Sequence, residues 1–203
     1  GSTGGPKGVM VKHNNISQFL GLCPALFSIE EGLRFAHHSE LTFDPSLFDL
    51  FYCWMTAGTL VPFNKSSYRI NPTSFVRETK VNVWFSVPSA ISMIAKSGGI
   101  EQSQLGSLRY LILTGEAPSG ELLANLYNVL PKLKIFNVYG TTETAIISHS
   151  YEVPRDYSPS KSVPVGKVLP GFNIRLMDGD NIVPPGEIGE SVVSGSQISP
   201  GYW

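Results

Sequence analysis

Between Val9 and about Ser148, short apolar runs rich in β-branched and aromatic residues alternate with longer segments whose apolar residues recur at helical spacing. That alternation marks an α/β sheet, in which strands are followed by helices that pack on them. Residues 8–11 read as a strand, and Asn14 and Asn15 as the cap of a helix bearing Ile16, Phe19, Leu20 and Cys23. Asp44-Pro45 is a second helix start, with proline at the first helical position, Leu47, Leu50, Phe51 and Trp54 on one face, and Gly58 at the end. Strands follow over residues 81–87, 109–113 and 133–136, with Pro88 opening one helix and Pro118 another that runs toward Leu130. His37 and His38 fall in a further strand, where packing or exposure explains them better than catalysis. The stripe of Phe48, Phe51 and Trp54 reads as core, with Phe48 also able to face a pocket.

Beyond Val153 the chain turns to Pro, Ser and Gly, then to short strand-like runs broken at Asp178-Gly179 and Pro184-Pro185-Gly186. Residues 172–177 and 189–193 would be two strands of a small β unit. The predicted fold class is α/β: a β-sheet flanked by helices over residues 1–160, followed by the start of a small β unit over residues 161–203.

With 42% hydrophobic residues among 203, the chain can bury a substantial core. Fifteen basic against 16 acidic side chains leave a formal charge of −1, so no basic field points to nucleic acid or to an anionic membrane. The longest uncharged stretch, residues 50–64, is too short to span a bilayer and is broken by Gly58 and Pro62. Cys23 and Cys53 match no spaced metal motif and read as packed thiols, which suits a reducing, cytoplasmic setting. Small-molecule chemistry is the expectation that remains.

Two segments carry that chemistry. Gly1-Ser2-Thr3-Gly4-Gly5-Pro6-Lys7-Gly8 can surround phosphate oxygens with backbone N–H groups, add two hydroxyl donors and offset charge with Lys7. It is not a Walker loop, because Gly8 stands where that motif needs a hydroxyl beside the lysine. By itself it would equally suit a flexible Gly/Ser turn. The sequence begins inside this motif without an initiator methionine, so an internal piece of a longer protein is expected. The second segment, Asn137-Val138-Tyr139-Gly140-Thr141-Thr142-Glu143-Thr144, follows a strand, where open α/β sheets place their ligands. It combines an aromatic face, a glycine turn, hydroxyls and one carboxylate, a set able to stack a base, bind a phosphate and hold a magnesium ion. Alone, it would also serve as a strand-to-helix turn with Thr142 as a cap and Glu143 exposed.

Together with Phe43-Asp44-Pro45-Ser46 and Gly186-Glu187-Ile188-Gly189-Glu190, these segments resemble the adenylate-forming enzyme superfamily of acyl-CoA ligases, luciferases and amino-acid-activating domains of peptide synthetases. The family loop, Thr-Ser-Gly-Ser-Thr-Gly-x-Pro-Lys-Gly, is present from Gly1 onward, and its second signature, Asn-x-Tyr-Gly-Pro-Thr-Glu, is matched with Thr141 in place of proline. The resemblance covers the whole chain and implies the second α/β subdomain of an adenylation core, then the start of its β-barrel subdomain.

It also implies a reaction: ATP and a carboxylate give an acyl-adenylate and pyrophosphate, and the acyl group then moves to a thiol. By resemblance, Ser2, Thr3, Gly4 and Lys7 hold the departing phosphates, Thr142 meets the α-phosphate region, and Glu143 binds Mg2+. Tyr139 would stack on adenine, Asn137 and Gly140 would also contact the nucleotide, and Gly115, Glu116 and Ala117 would form the other wall of its pocket. An aspartate in the position of Asp44 marks the amino-acid-activating branch, where it binds the substrate's ammonium group; a helix cap is the plainer role for it. The implied substrate pocket is Pro45, Phe48, Ser86, Ile112, Thr114, Val138, Ile146 and Ile147, which favours a small or apolar side chain. A phosphopantetheinylated carrier protein would receive the aminoacyl group. Residues 84–89, 113–116 and 162–166 are similar to ligases that load D-alanine onto carrier proteins, except that Thr114 stands where those have cysteine. The alternatives are an acyl-CoA ligase of the same superfamily or a non-catalytic binding or structural fragment. The family's ribose-binding aspartate and lid lysine have no counterpart before Trp203, so the 203 residues by themselves are expected to catalyse weakly or not at all.

Overall fold

The computed structural model describes residue 5 and residues 7–98 and 100–203. Seven strands form the main sheet: β1 (Arg34–His37), β2 (Thr59–Pro62), β3 (Val83–Ser86), β4 (Tyr110–Leu113), β5 (Lys134–Tyr139), β6 (His149–Glu152) and β7 (Lys167–Val168), in spatial order 2-1-3-4-5-6-7. Pairings from β2 through β5 are parallel, whereas β5–β6 and β6–β7 are antiparallel. A three-stranded antiparallel sheet follows, β8 (Phe172–Asp178) lying between β9 (Asn181–Ile182) and β10 (Glu190–Gly195). The expected α/β sheet and small β unit are thus both present, and the changeover between sheets falls between Val168 and Phe172.

Side chains alternate across a strand, so each central strand feeds two cores. Val83, Phe85, Tyr110, Ile112, Phe136 and Val138 pack with Phe19, Cys23 and Phe27 of α1 (His13–Phe27). Trp84, Leu111, Leu113 and Ile135 face the other way, onto α5 (Pro72–Thr79), α6 (Pro88–Gly98) and α8 (Gly120–Val129). Two short helices, α4 (Ser66–Ile70) and α7 (Gln102–Leu105), complete this layer. Ser119, not Pro118, caps α8, its hydroxyl accepting the Leu122 N–H at 3.1 Å. Both cysteines are buried and unpaired, as expected of packed thiols.

Two sequence expectations are corrected. Residues 8–11 form no strand; Val9 makes one antiparallel bridge, to Tyr202, because no neighbouring strand extends the pairing. The helix after Asp44 is α2 (Pro45–Leu47), a π-helical turn (Phe48–Tyr52) and α3 (Cys53–Met55). A π turn holds more residues than an α turn and so shifts the phase of everything after it. Phe48, Asp49, Tyr52 and Cys53 therefore point inward, while Phe51 and Trp54, expected in the core, are 41% and 59% exposed. Asp49 is carried to full burial, with His37 Nδ1 3.5 Å from its Oδ2, and burial pushes its carboxyl up to about 7 against the opposing pull of His37.

Candidate functional site

Of the segments singled out by sequence, residues 43–46, 113–116 and 137–144 lie at the carboxyl ends of the parallel strands, whereas residues 186–190 lead into β10. Asp44 lies in the connection after β1, Ser86 ends β3, residues 114–117 follow β4, and Tyr139 ends β5. Between the last two lies a cleft of about 240 Å³ lined by Gly115, Glu116, Ala117, Asn137, Val138 and Tyr139, with Val163 and Val165 closing it. Gly115 has φ +80°, a left-handed conformation open to glycine, which lets the backbone turn at the cleft wall. Glu116 is anchored by its carboxylate, which accepts the Ser89 N–H and hydroxyl at 3.0 Å each, at the start of α6. Asn137 is buried and donates its amide to Pro164 O at 2.7 Å, tying β5 to the segment that carries the two valines. Tyr139 remains 43% exposed, with His149 edge-on to its ring at 5.6 Å, so a ring face is available for stacking.

After Tyr139 the chain makes a tight return into β6. Gly140 has to be glycine, because a Cβ there would meet Ile146 O at 2.3 Å and Ile147 Cα at 2.5 Å. Thr142–Thr144 form a 3-10 turn, fastened by Thr144 Oγ1, which accepts the Thr141 N–H at 2.9 Å and donates to Thr141 O at 2.9 Å. Glu143 Oε1 accepts the Tyr202 hydroxyl at 2.5 Å, a bond that, with backbone support, holds its carboxyl below the usual range and keeps it ionised. Lys7 Nζ lies over the same Tyr202 ring, 5.3 Å from its centroid, so one phenol joins the end of the glycine-rich loop to Glu143. Ser2, Thr3 and Gly4 lie outside the described residues.

Asp44 sits beside this turn. Burial raises its carboxyl above the ordinary carboxylate range, the Thr142 hydroxyl and the Ile146 backbone pull it back, and the Glu143 charge adds to the upward push. Its Oδ2 is buried without a hydrogen-bond partner, and its side chain does not cap the helix that follows. Phe48, Ile112, Val138, Ile146 and Ile147 share one apolar cluster, each at most 4% exposed, and of these Ile146 lies beside the Asp44 carboxyl. Pro45 and Thr114 are half-buried. Ser86 is buried, its hydroxyl accepting from Trp84 Nε1 at 2.8 Å and donating to Val87 O at 3.0 Å.

An AMP-binding enzyme family model matches residues 1–203. The chain belongs to that family. Among similar curated proteins, a D-alanine--D-alanyl carrier protein ligase of Bacillus velezensis is 34% identical over all of this chain and 41% of its own length. An L-proline--[L-prolyl-carrier protein] ligase of Streptomyces coelicolor is 32% identical, over 100% of this chain and 39% of the relative. The chain therefore spans about two fifths of these relatives. The crystal structure of the Vibrio cholerae adenylation domain AlmE with glycyl-adenosine-5'-phosphate superposes with a TM-score of 0.88 at 27% identity, over 100% of this chain and 39% of that one.

Among the described residues, no group of three or more His, Cys, Asp or Glu side chains is placed to share a metal ion, and no helix is long and apolar enough to cross a membrane. A single ionised carboxylate such as Glu143 fits Mg2+ nonetheless, since that ion is usually held by one or two carboxylates together with substrate phosphates. Sequence reasoning missed Val163, Val165, Gln197 and Tyr202. The valines lie in a segment already noted for its similarity, but the last two reach the site only through folding.

Proposed function

We propose that this AMP-binding chain forms the nucleotide- and amino-acid-holding part of an ATP-dependent amino-acid ligase, and that Asp44 receives the substrate's ammonium group. The carrying observation is the Asp44 Oδ2 atom, buried and unpartnered beside Thr142. A buried carboxylate oxygen without a donor is costly, and a bound ammonium ion is its natural complement. The apolar cluster that includes Ile146 would accommodate a small or apolar side chain. Opposite, Tyr139 would stack adenine against residues 115–117. A carboxylate oxygen of the amino acid attacks the α-phosphorus of ATP, the bond to the β-phosphate oxygen breaks, and pyrophosphate leaves with aminoacyl-AMP remaining. The substrate is its own nucleophile, so the chain's contribution is alignment and charge neutralisation. Thr142 would orient the α-phosphate, and Ser2, Thr3, Gly4 and Lys7 would hold the departing phosphates. Mg2+, held by Glu143, would supply further neutralisation of phosphate charge. In a second step the aminoacyl carbon would pass to the phosphopantetheine thiol of a carrier protein, with AMP released.

The test is amino-acid-dependent exchange of labelled pyrophosphate into ATP by the whole protein. Neutral amino acids should support exchange and their deaminated counterparts should not, and Asp44→Asn should lower exchange at least about a hundredfold, as expected when one partner of a buried charge pair is removed, a loss of about 3 kcal/mol or more. Preference for a fatty or aryl acid would overturn the assignment in favour of an acyl-CoA ligase.

A further inference from the structure

Gln197 lies beyond β10, 50 or more residues from the turn it touches, and outside every segment that carries the family resemblance. It is 2% exposed. Its Nε2 reaches Thr144 O at 2.8 Å and both Ala145 O and Ile147 O at 3.1 Å. A carboxamide has two N–H groups, so three acceptors means that one hydrogen is shared. These acceptors need outside donors because Ala145 and Ile146 have φ +51° and +83° and so interrupt regular pairing. For β-branched Ile146 that conformation is an outlier, which persists only where the surroundings enforce it.

The enforcing loop is itself anchored. Buried Asn15 of α1 donates to Ser196 O at 3.4 Å and to Ile198 O at 3.1 Å, and Ser199 N donates to Glu143 O at 2.8 Å. The loop is thus fastened to α1 on one side and to both ends of the turn on the other. That turn carries Glu143 at its start and, at Ile146, the backbone that lies beside the Asp44 carboxyl.

We infer that Gln197 is a positioning residue for the amino-acid site, holding the Thr144–Ile147 backbone in the one conformation that sets Ile146 against Asp44. This rests on the amino-acid site proposed above and adds a residue that acts on it without touching substrate. Gln197 hydrogen-bonds the Thr144, Ala145 and Ile147 carbonyls and none of residues 115–117, the wall assigned to adenine, whereas Thr142 and Glu143 share the held turn, so the effect should fall more heavily on the amino acid than on ATP without sparing ATP.

The experiment compares Gln197→Met, similar in length and without a donor, with Gln197→His, which keeps one N–H at similar reach, in the whole protein. Amide hydrogen exchange is read at residues 143–148, and pyrophosphate exchange gives separate KM values for amino acid and ATP. Gln197→Met should speed amide exchange in the turn about tenfold or more while β3 and β4 are unchanged. It should also raise the amino-acid KM about tenfold and the ATP KM by a clearly smaller factor, as misplacement of a binding wall predicts. Gln197→His should fall between wild type and Gln197→Met, and carries the test if the methionine variant does not fold. Unchanged exchange in the turn, faster exchange throughout the sheet, or equal rises in both KM values would overturn the inference. If the wild-type protein shows no amino-acid-dependent activity, the proposed function fails, and so does this role; local loosening of the turn in the variants would then mark Gln197 as a support of the backbone only.

Discussion

Single side chains in this molecule are defined by what they lack as much as by what they touch. Asp44 Oδ2 has no partner, whereas the Glu143 carboxylate is already engaged by Tyr202 and, through that ring, set near Lys7. Glu143 is half-buried on a short turn, so Glu143→Gln should leave the fold intact, with the melting temperature within a few degrees of wild type. Pyrophosphate exchange should fall by roughly a hundredfold, in line with loss of one preorganised charge-stabilising group. Undiminished activity at saturating magnesium would make Glu143 merely a turn residue. Both acids were legible in the sequence because each sits inside a contiguous motif. Gln197 and Tyr202 were not, because their contacts bridge 50 to 59 positions that nothing in local spacing connects.

Among the elements, the strands that bear the site were the easiest to foresee and the helix beneath it the hardest. β3, β4 and β5 announce themselves as apolar runs because both of their faces are buried. The helix after Asp44 misleads because its phase is reset by the π turn, which no residue in 48–52 signals. Energetics should follow the observed face. Phe48, with ring neighbours in Phe19, Phe27, Phe35, Tyr52 and Phe85, should cost about 3–5 kcal/mol when changed to alanine. Trp54→Ser, on the exposed side, should stay within about 1 kcal/mol. Urea titration distinguishes the two, and a larger loss at Trp54 would restore the uninterrupted α-helix that sequence periodicity implies.

Stability of the whole chain should carry the mark of one buried acid. Asp49 has a folded-state value of about 7 against 3.8 when unperturbed, so the native state holds a proton that the unfolded chain gives up. Its contribution is complete below about pH 4 and is lost as the pH rises through 7, a swing of at most ~4 kcal/mol. Asp49→Asn should therefore flatten the decline in urea midpoint between about pH 4 and 7, and an unaltered slope would show that this carboxyl is not its source. Another property of the whole chain follows from its topology. In the seven-stranded sheet, residues 140–148 are the shortest connection between paired strands, and β5–β6 is the first antiparallel pair. Loop-closure entropy makes such a pairing the least demanding long-range step in the assembly of the sheet. We expect Val138→Ala to slow refolding in proportion to its destabilisation, and Val83→Ala, in a parallel strand, to act mainly on unfolding. The turn assigned to holding nucleotide and amino acid would then also be the place where the sheet begins to fold.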